Sequence, residues 1–191
     1  MWTKETQCTP LAFQVMSDLH LEVGQQYPDF QIPPSAPYLI LAGDFGRLMD
    51  YAKFCDFLQA QCANFSLVFL VLGNHEFFGV SRQEGLDLAD KMQQEDRLKD
   101  RLVIMNRRRV DVEDVTVLGC TLQSFIPSQD AELVGYKIND FHHIKEWKVA
   151  DHVAQHRRDV EWNFSEIKSI RSEEASSTRK ILVITHHAEA F

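Results

Sequence analysis

Four short groups of acidic, histidine and asparagine side chains directly follow apolar runs in this sequence. They are Asp18-Leu19-His20, Gly43-Asp44, Gly73-Asn74-His75-Glu76 and Thr185-His186-His187. Sites in open α/β sheets form at the carboxyl ends of the strands, so four strands would deliver these side chains to one edge. A mixed set of oxygen and imidazole ligands suits manganese, iron or zinc better than calcium, which prefers oxygen alone.

The spacing within these groups has physical consequences. Side chains two residues apart in an extended segment point to the same side, so Asp18 and His20 could reach one ion. Asp44 carries two carboxylate oxygens and could bridge two cations. Gly43 and Gly73 permit tight turns where the backbone must pass close to a substrate. We therefore expect a metal site to which several strands contribute.

The four groups differ in how often they occur by chance, and therefore in how specifically they indicate a metal site. An Asp-x-His triplet occurs by chance in roughly one chain of this length in five, judged from average residue frequencies. The Gly73–Glu76 tetrad is much rarer, on the order of 1 in 1,000 such chains. The alternative is that these residues are caps and polar turns, which favour Asp, Asn and Gly at strand ends. The tetrad and the placement of every group after a strand favour the metal site.

Strands alternate with helices along the chain. Apolar runs predict strands at residues 13–16, 38–42, 67–72, 102–105, 109–112, 115–119 and 180–185. Helices are predicted from Asp50 to about residue 62, from Ser81 to about residue 98 and over about 149–171. Ser81 and Glu84 form a capping-box pattern at the start of the second helix. One α/β domain covering residues 1–191 is the simplest interpretation.

The ordered motifs resemble those of the calcineurin-like metallophosphoesterases, whose pattern is DxH, GD, GNHE and a later histidine after a strand. The matching positions are Asp18, His20, Gly43, Asp44, Gly73 to Glu76 and His186. The resemblance covers nearly the whole chain. Residues 118–122 and Asn139-Asp140-Phe141 are similar to fungal-type members. The implied fold is a four-layer α/β/β/α sandwich, with two mixed sheets flanked by helices.

The resemblance also implies an activity: hydrolysis of phosphate monoesters or diesters at a binuclear centre with a bridging hydroxide. The centre would hold two divalent or trivalent ions of manganese, iron or zinc. Asp18 and His20 would bind the first metal. Asp44 would bridge the two, and Asn74 and His186 would bind the second. His75 would contact the phosphate and stabilise or protonate the leaving oxygen.

Five histidine and acidic positions need separate interpretation. Either His186 or His187 could be a ligand; His186 directly follows the strand and matches the family position. His187 would then lie beside the ligands or face the substrate. Glu76 is expected to be a hydrogen-bond partner within the site. His152 and His156 are four residues apart on a predicted helix, like a metal pair, but no third ligand is near, so a helix surface is expected for them.

The sequence departs from the family pattern in one respect. The family closes its site with GHxH, which supplies one further histidine to each metal, and the 191 residues contain no such motif. We expect incomplete metal shells, in a fragment of a longer polypeptide or in a C-terminally truncated variant. The alternative function is a non-catalytic binding module with the same fold.

Composition excludes several other classes. The net charge of −8 and the single short basic run at residues 107–109 argue against binding to nucleic-acid phosphates. The longest apolar run, residues 67–72, is too short to span a bilayer, and the N-terminus lacks a signal pattern. We expect a cytoplasmic protein with no membrane partner and with a small or macromolecular phosphate ester as substrate. A nucleotide-binding protein without metals is disfavoured because no GxGxxG or P-loop is present.

Overall fold

Two β-sheets form the centre of the molecule. The computed structural model describes residues 11–173 and 179–188. Within these residues the first sheet is wholly parallel, with its strands in the order β1-β2-β3-β4. These strands are β1 (Phe13–Met16), β2 (Tyr38–Ala42), β3 (Leu67–Val71) and β4 (Leu102–Met105). The parallel order brings the carboxyl ends of β1, β2 and β3 to one edge.

The second sheet is mixed and contributes one more strand end to that edge. Its order is β5-β6-β7, with β5 (Arg108–Val112), β6 (Val115–Cys120) and β7 (Lys180–Thr185). β5 and β6 form an antiparallel hairpin, whereas β7 pairs with β6 in parallel. The parallel pairing of β7 places the residues after Thr185 beside those that follow β6.

Alternation along the strands builds two hydrophobic cores. Leu39 and Leu41 of β2 are buried in one core, which includes side chains of α1 (Tyr51–Asn64) and α2 (Arg82–Gln94). Ile40 points to the opposite face and is buried with Val117 of the second sheet. Since side chains alternate between the two faces of a strand, the first sheet is covered on both.

Helix α5 (Val149–Ser172) contacts β6 of the second sheet and supplies the fourth layer. The predicted fold of two sheets flanked by helices is confirmed, but the prediction that both sheets are mixed was wrong, because the described strands of the first sheet pair only in parallel. Two short helices, α3 (Ala131–Lys137) and α4 (Asp140–His143), were not predicted. None of the helices in the described part of the chain has the length and apolar character needed to cross a membrane.

The predicted capping box is present at the start of α2. The Glu84 backbone N–H donates to Ser81 Oγ at 3.2 Å, and the Ser81 N–H donates to Glu84 Oε2 at 2.8 Å. The prediction for the helical histidines was wrong, because His152 and His156 are only 3% and 8% exposed. Their rings bond to the backbone carbonyls of residues 124 and 123 respectively, and so anchor α5 to the segment after β6.

Candidate metal centre

The loops after β1 and β2 continue side by side beyond the ends of their strands. The Asp18 N–H donates to the Gly43 carbonyl at 3.1 Å, and the His20 N–H donates to the Asp44 carbonyl at 2.9 Å. These two bonds extend the contact between the strands into the polar segments. The first two predicted ligand groups are therefore held next to each other by the backbone.

Three of the predicted ligands have an unusual backbone conformation. Asp18, His20 and Asp44 have φ values of 58°, 48° and 59°, in the left-handed region that few non-glycine residues adopt. Each such residue costs on the order of 1–3 kcal/mol, and such residues cluster at functional sites. Since Asp18 and His20 are not extended, the expectation that their side chains point to the same side does not apply.

The first group of polar side chains, which we call the Asp44 cluster, consists of Asp18, Asp44, Asn74 and His186. Ligand atoms of Asp18, Asp44 and His186 all lie within 4.8 Å of one another. His186 Nε2 is 3.1 Å from Asn74 Oδ1 and 3.4 Å from Asp44 Oδ2. Residues from four separate strand ends thus converge, as the sequence predicted for Asp44, Asn74 and His186.

The orientation of the His186 ring decides which of its nitrogens faces this cluster. Nδ1 donates to the Ala42 carbonyl at 3.0 Å, so Nε2 is the nitrogen directed at the oxygens of Asp44 and Asn74. Burial disfavours the charged ring, yet the Asp44 carboxylate raises the pKa of His186 to about 9. Burial likewise opposes ionisation of Asp44, but His186 holds the pKa of this carboxyl below its usual value.

This donor set fits a metal ion. A metal-binding histidine usually donates its other ring N–H to a carbonyl or carboxylate, which fixes the tautomer, as Ala42 does here. Oxygens of Asp44 and Asn74 lie within 3.4 Å of His186 Nε2, and a cation bound among them would replace the proton on this nitrogen. The combination of imidazole and oxygen ligands is one that manganese, iron and zinc accept.

The close approach of the loops explains both glycines. A Cβ at position 73 would overlap the Asp44 carboxylate, and a Cβ at position 43 would overlap the His186 ring. Gly43 also has a φ of 95°, which disfavours other residues. The Asp44 cluster therefore depends on the absence of a side chain at these two positions.

A second group, which we call the His75 cluster, consists of His20, Glu22 and His75. Glu22 Oε1 lies 2.8 Å from His75 Nδ1 and 3.4 Å from His20 Nδ1. A carboxylate oxygen accepts, so His75 donates from Nδ1 to Glu22. Burial would lower the pKa of His75, but the Glu22 bond and the nearby Asp44 raise it. His75 is held on its other side by Phe78, with ring centroids 4.2 Å apart.

The two clusters meet at Asp44, and the Glu76 carboxylate holds the backbone around this residue. Asp44 Oδ1 accepts from the His75 backbone N–H at 3.0 Å. The fully buried Glu76 carboxylate accepts from the backbone N–H groups of Gly73, Phe45 and Asp44, at 2.7, 2.8 and 3.0 Å. Burial and the Asp44 charge nevertheless raise the pKa of Glu76 to about 7. Glu76 thus ties the loop after β2 to the loop after β3.

The structure separates two residues that were predicted to share a metal. Asp18 lies in the Asp44 cluster, whereas His20 lies in the His75 cluster. His187 packs edge-on against His186, with ring centroids 4.5 Å apart. Burial and the charge of His186 lower the pKa of His187 to about 4, so this ring is neutral beside the cluster.

Sequence reasoning missed two residues of the site. Glu22 was not considered, although it continues the spacing of two residues that relates Asp18 to His20. Asp140 was noticed as part of a segment similar to fungal-type proteins, but not as a partner of Asn74. Its carboxylate accepts a hydrogen bond from Asn74 Nδ2 at 2.8 Å. No local pattern places Asp140 there, because the contact spans 66 positions of the chain.

Comparison with known families agrees with this geometry. The sequence model of the calcineurin-like phosphoesterase family matches residues 12–190. The chain belongs to this family. Metallophosphoesterases of this kind bind metal ions, and the two clusters are candidate groups of ligands for them.

Two individual proteins are similar to this chain, one in sequence and the other in structure. The uncharacterized protein L509 of Acanthamoeba polyphaga mimivirus is 26% identical over 192 residues, which cover 92% of this chain and 67% of that protein. The crystal structure of a phosphopantetheinyl hydrolase, PptH, from Mycobacterium tuberculosis aligns with a TM-score of 0.62 and 17% identity. The alignment covers 92% of this chain and 68% of PptH. This second likeness establishes the shared fold.

Proposed function

We propose that this protein hydrolyses phosphate monoesters or diesters at a binuclear metal centre. The observation that carries the proposal is the position of Asp44 between the two clusters. Its Oδ2 lies 3.4 Å from His186 Nε2, and its Oδ1 accepts the His75 N–H at 3.0 Å. A carboxylate in this position can serve both metals and can also set the position of the residue that acts on the substrate.

The ligands divide between the two proposed ions. Asp44, Asn74 and His186 would hold one ion, with His186 Nε2 and Asn74 Oδ1 already 3.1 Å apart. Asp18 would hold the other with Asp44 and His20. His20 pairs with Glu22 in the structure, so its proposed role as a ligand requires its ring to turn toward Asp18. Manganese, iron and zinc are the candidates, since the donors are imidazole, amide and carboxylate groups.

Within the His75 cluster, His75 and Glu22 would handle protons and charge. When bound, the metal ions would polarise the phosphoryl group and lower the pKa of the attacking water. His75 donates from Nδ1 to Glu22, which leaves Nε2 to donate to a phosphoryl oxygen or to the leaving group. The raised pKa of His75 favours the protonated ring that carries this second proton. Glu22 orients the ring and balances its positive charge.

The proposal is tested by metal content and turnover of the same preparations. The full chain, loaded with manganese, is assayed with p-nitrophenyl phosphate and bis-p-nitrophenyl phosphate, and its metals are counted by elemental analysis. We expect about two ions per chain, as in two-metal phosphatases, and loss of turnover after chelation that manganese restores.

Two aspartate variants provide the matched comparison. Asp44→Asn should lose metal and about 10²- to 10³-fold in kcat/KM, the loss typical when a direct electrostatic contact is removed. Asp87→Asn is the control, because Asp87 is an exposed residue of α2 that bonds only to Gln83 among the described residues. The absence of turnover in the wild type, together with unchanged behaviour of Asp44→Asn, would refute the enzymatic proposal.

The alternative remains a non-catalytic binding module, because the sequence contains no Gly-His-x-His. Folded protein that holds no metal would support this alternative. Bound metal without turnover would support it too, provided that both assay substrates were tested. We also propose membership of the fungal-type subgroup, which the similarity of residues 139–141 supports. A substrate screen in parallel with members of that subgroup would test this assignment.

A further inference from the structure

The Asn74 side chain is held at both ends of its carboxamide. Its Nδ2 donates to Asp140 Oδ1 at 2.8 Å, and its Oδ1 faces His186 Nε2 at 3.1 Å. The two ends of a carboxamide are nearly identical in shape, and the torsion that exchanges them has a broad two-fold profile. An ionised carboxylate only accepts hydrogen bonds, so Asp140 selects the orientation in which the Asn74 oxygen faces the Asp44 cluster.

Helix α4 is fixed against the segment that follows the Gly73–Glu76 tetrad, and Asp140 is the first residue of this helix. The Gly79 N–H donates to the His143 carbonyl at 2.8 Å, and the Lys145 N–H donates to the Val80 carbonyl at 3.0 Å. The side chain of Ile144 anchors the same segment, because it is only 2% exposed and belongs to the main core. These contacts keep the Asp140 carboxylate at a constant position relative to Asn74.

The surroundings of Asp140 indicate a task other than stabilising the fold. Its residue is 6% exposed, and its carboxylate bonds to no other side chain in the part of the chain that the structure describes. A buried carboxylate with one neutral partner is costly, since burial of a charge requires pairing to offset desolvation. Asp159, in contrast, is fully buried but is paired with Arg107 at 2.8 Å and with the Leu122 N–H at 3.0 Å.

We propose that Asp140 is a positioning residue that holds the Asn74 oxygen toward the metal and thereby sets the affinity of the site. This inference rests on the proposed metal-binding function. Without Asp140 the carboxamide can rotate and present its NH₂ group to the cation. The NH₂ group is a donor and cannot act as a ligand, so part of the population would lose one metal ligand.

The test measures manganese binding to the full chain by isothermal titration calorimetry, which does not depend on turnover. Asp140→Leu should weaken binding by about 10- to 100-fold, the range typical of groups that orient metal ligands. Asp140→Asn should weaken it less, because the new amide oxygen can still accept from Asn74. Asp159→Asn is the control for loss of a buried carboxylate; it should lower the melting temperature without changing the manganese affinity of the folded protein.

An exchange of the two residues separates orientation from structure. In the double variant Asn74→Asp with Asp140→Asn, residue 140 donates and residue 74 presents an oxygen in either orientation. We expect this exchange to bind manganese more tightly than Asn74→Asp alone, in which two carboxylates face each other. The exchange also tests the positioning role of Asp140 if Asp140→Leu does not fold.

The outcomes separate this inference from the proposed function. A folded Asp140→Leu protein that binds manganese as tightly as the wild type overturns the positioning role, as does an exchange variant no tighter than Asn74→Asp. A wild-type chain that binds none of manganese, iron and zinc refutes the proposed function itself, and the positioning role with it.

Discussion

The Asp44 cluster and the His75 cluster share one edge of the molecule, and the histidine of the first is less exposed than the histidines of the second, although Asp18 of the first is itself exposed. The side chains of Asp44 and His186 are each 5% exposed, whereas those of His20 and His75 are 34% and 27% exposed. Members of the Asp44 cluster are also held by groups outside it: Ala42 holds His186, Asp140 holds Asn74, and Glu76 holds the Asp44 backbone. The His75 cluster is held mainly by contacts among its own members and with Phe78.

This difference indicates a division of roles. The buried Asp44 carboxylate and His186 imidazole, each held by a backbone group, suit a cation, because these ligands need little rearrangement on binding. A partly exposed histidine paired with a carboxylate suits proton transfer, because the substrate and water must reach it. Replacements in the two clusters should therefore affect different measured quantities, and three predictions follow this division in order of decreasing effect.

The largest effect is expected from His75→Ala. Loss of a general acid typically lowers the rate by about 10²- to 10⁴-fold, while the manganese content of the protein should stay that of the wild type. Steady-state kinetics and elemental analysis on one preparation measure both. His142→Ala is the control, since His142 is an exposed histidine of α4 whose ring bonds to the Tyr136 carbonyl. If His75→Ala lost its metal instead, the proposed division would be wrong.

Glu76→Ala should lower the free energy of unfolding, because Glu76 holds the backbone around the Asp44 cluster. Three backbone N–H groups would lose their acceptor, at about 1–3 kcal/mol for each buried donor left unsatisfied, so we expect at least about 3 kcal/mol in all. Urea unfolding of the metal-free protein measures this loss. Glu161→Ala, at an exposed position of α5, should stay within about 0.5 kcal/mol of the wild type. Equal stability of Glu76→Ala and the wild type would contradict the bracing role of Glu76.

The smallest effect is expected from Glu22→Gln, which removes a charge and keeps the shape of the side chain. Burial lowers the pKa of His75 and Glu22 raises it, so loss of the Glu22 charge should lower this pKa. If His75 must be protonated to act, the fall of kcat/KM at high pH should move to lower pH.

The pH profile should be compared with that of Glu95→Gln, because Glu95 bonds to the Tyr51 hydroxyl away from the site. A shift in both variants would indicate a general electrostatic effect. A Glu22→Gln profile identical to that of the wild type would show that Glu22 does not control the proton of His75.

Much of the fold could be predicted because its strands are continuous apolar runs. The strands at residues 13–16, 38–42, 102–105 and 180–185 have the predicted bounds, and the Ser81 capping box was identified from two residues. The helices α3 and α4 were missed, since seven and four residues are too few to show a helical period. The burial of His152 and His156 was missed because their partners are backbone carbonyls about 30 residues away, which have no sequence signal.

The site shows the same limit at finer scale. The residue types and their order after four strands were sufficient to predict ligands for metals, and the family resemblance implies that His75 contacts phosphate; these roles stay predictions. The sequence could not indicate that Asp18 and His20 adopt left-handed backbone conformations, because isolated aspartate and histidine residues prefer other regions. It could not indicate Glu22 and Asp140 as partners of His75 and Asn74, because both contacts join distant segments.

The sequence by itself therefore determined the family, the strand ends and the chemistry of the donors, since these depend on local composition and order. Only the tertiary structure decided which donors meet. Hydrogen bonds between loops, the space left by Gly43 and Gly73, and the docking of α4 direct the side chains into two separate clusters. Long-range packing selects among side-chain orientations that the local sequence leaves almost equal in energy.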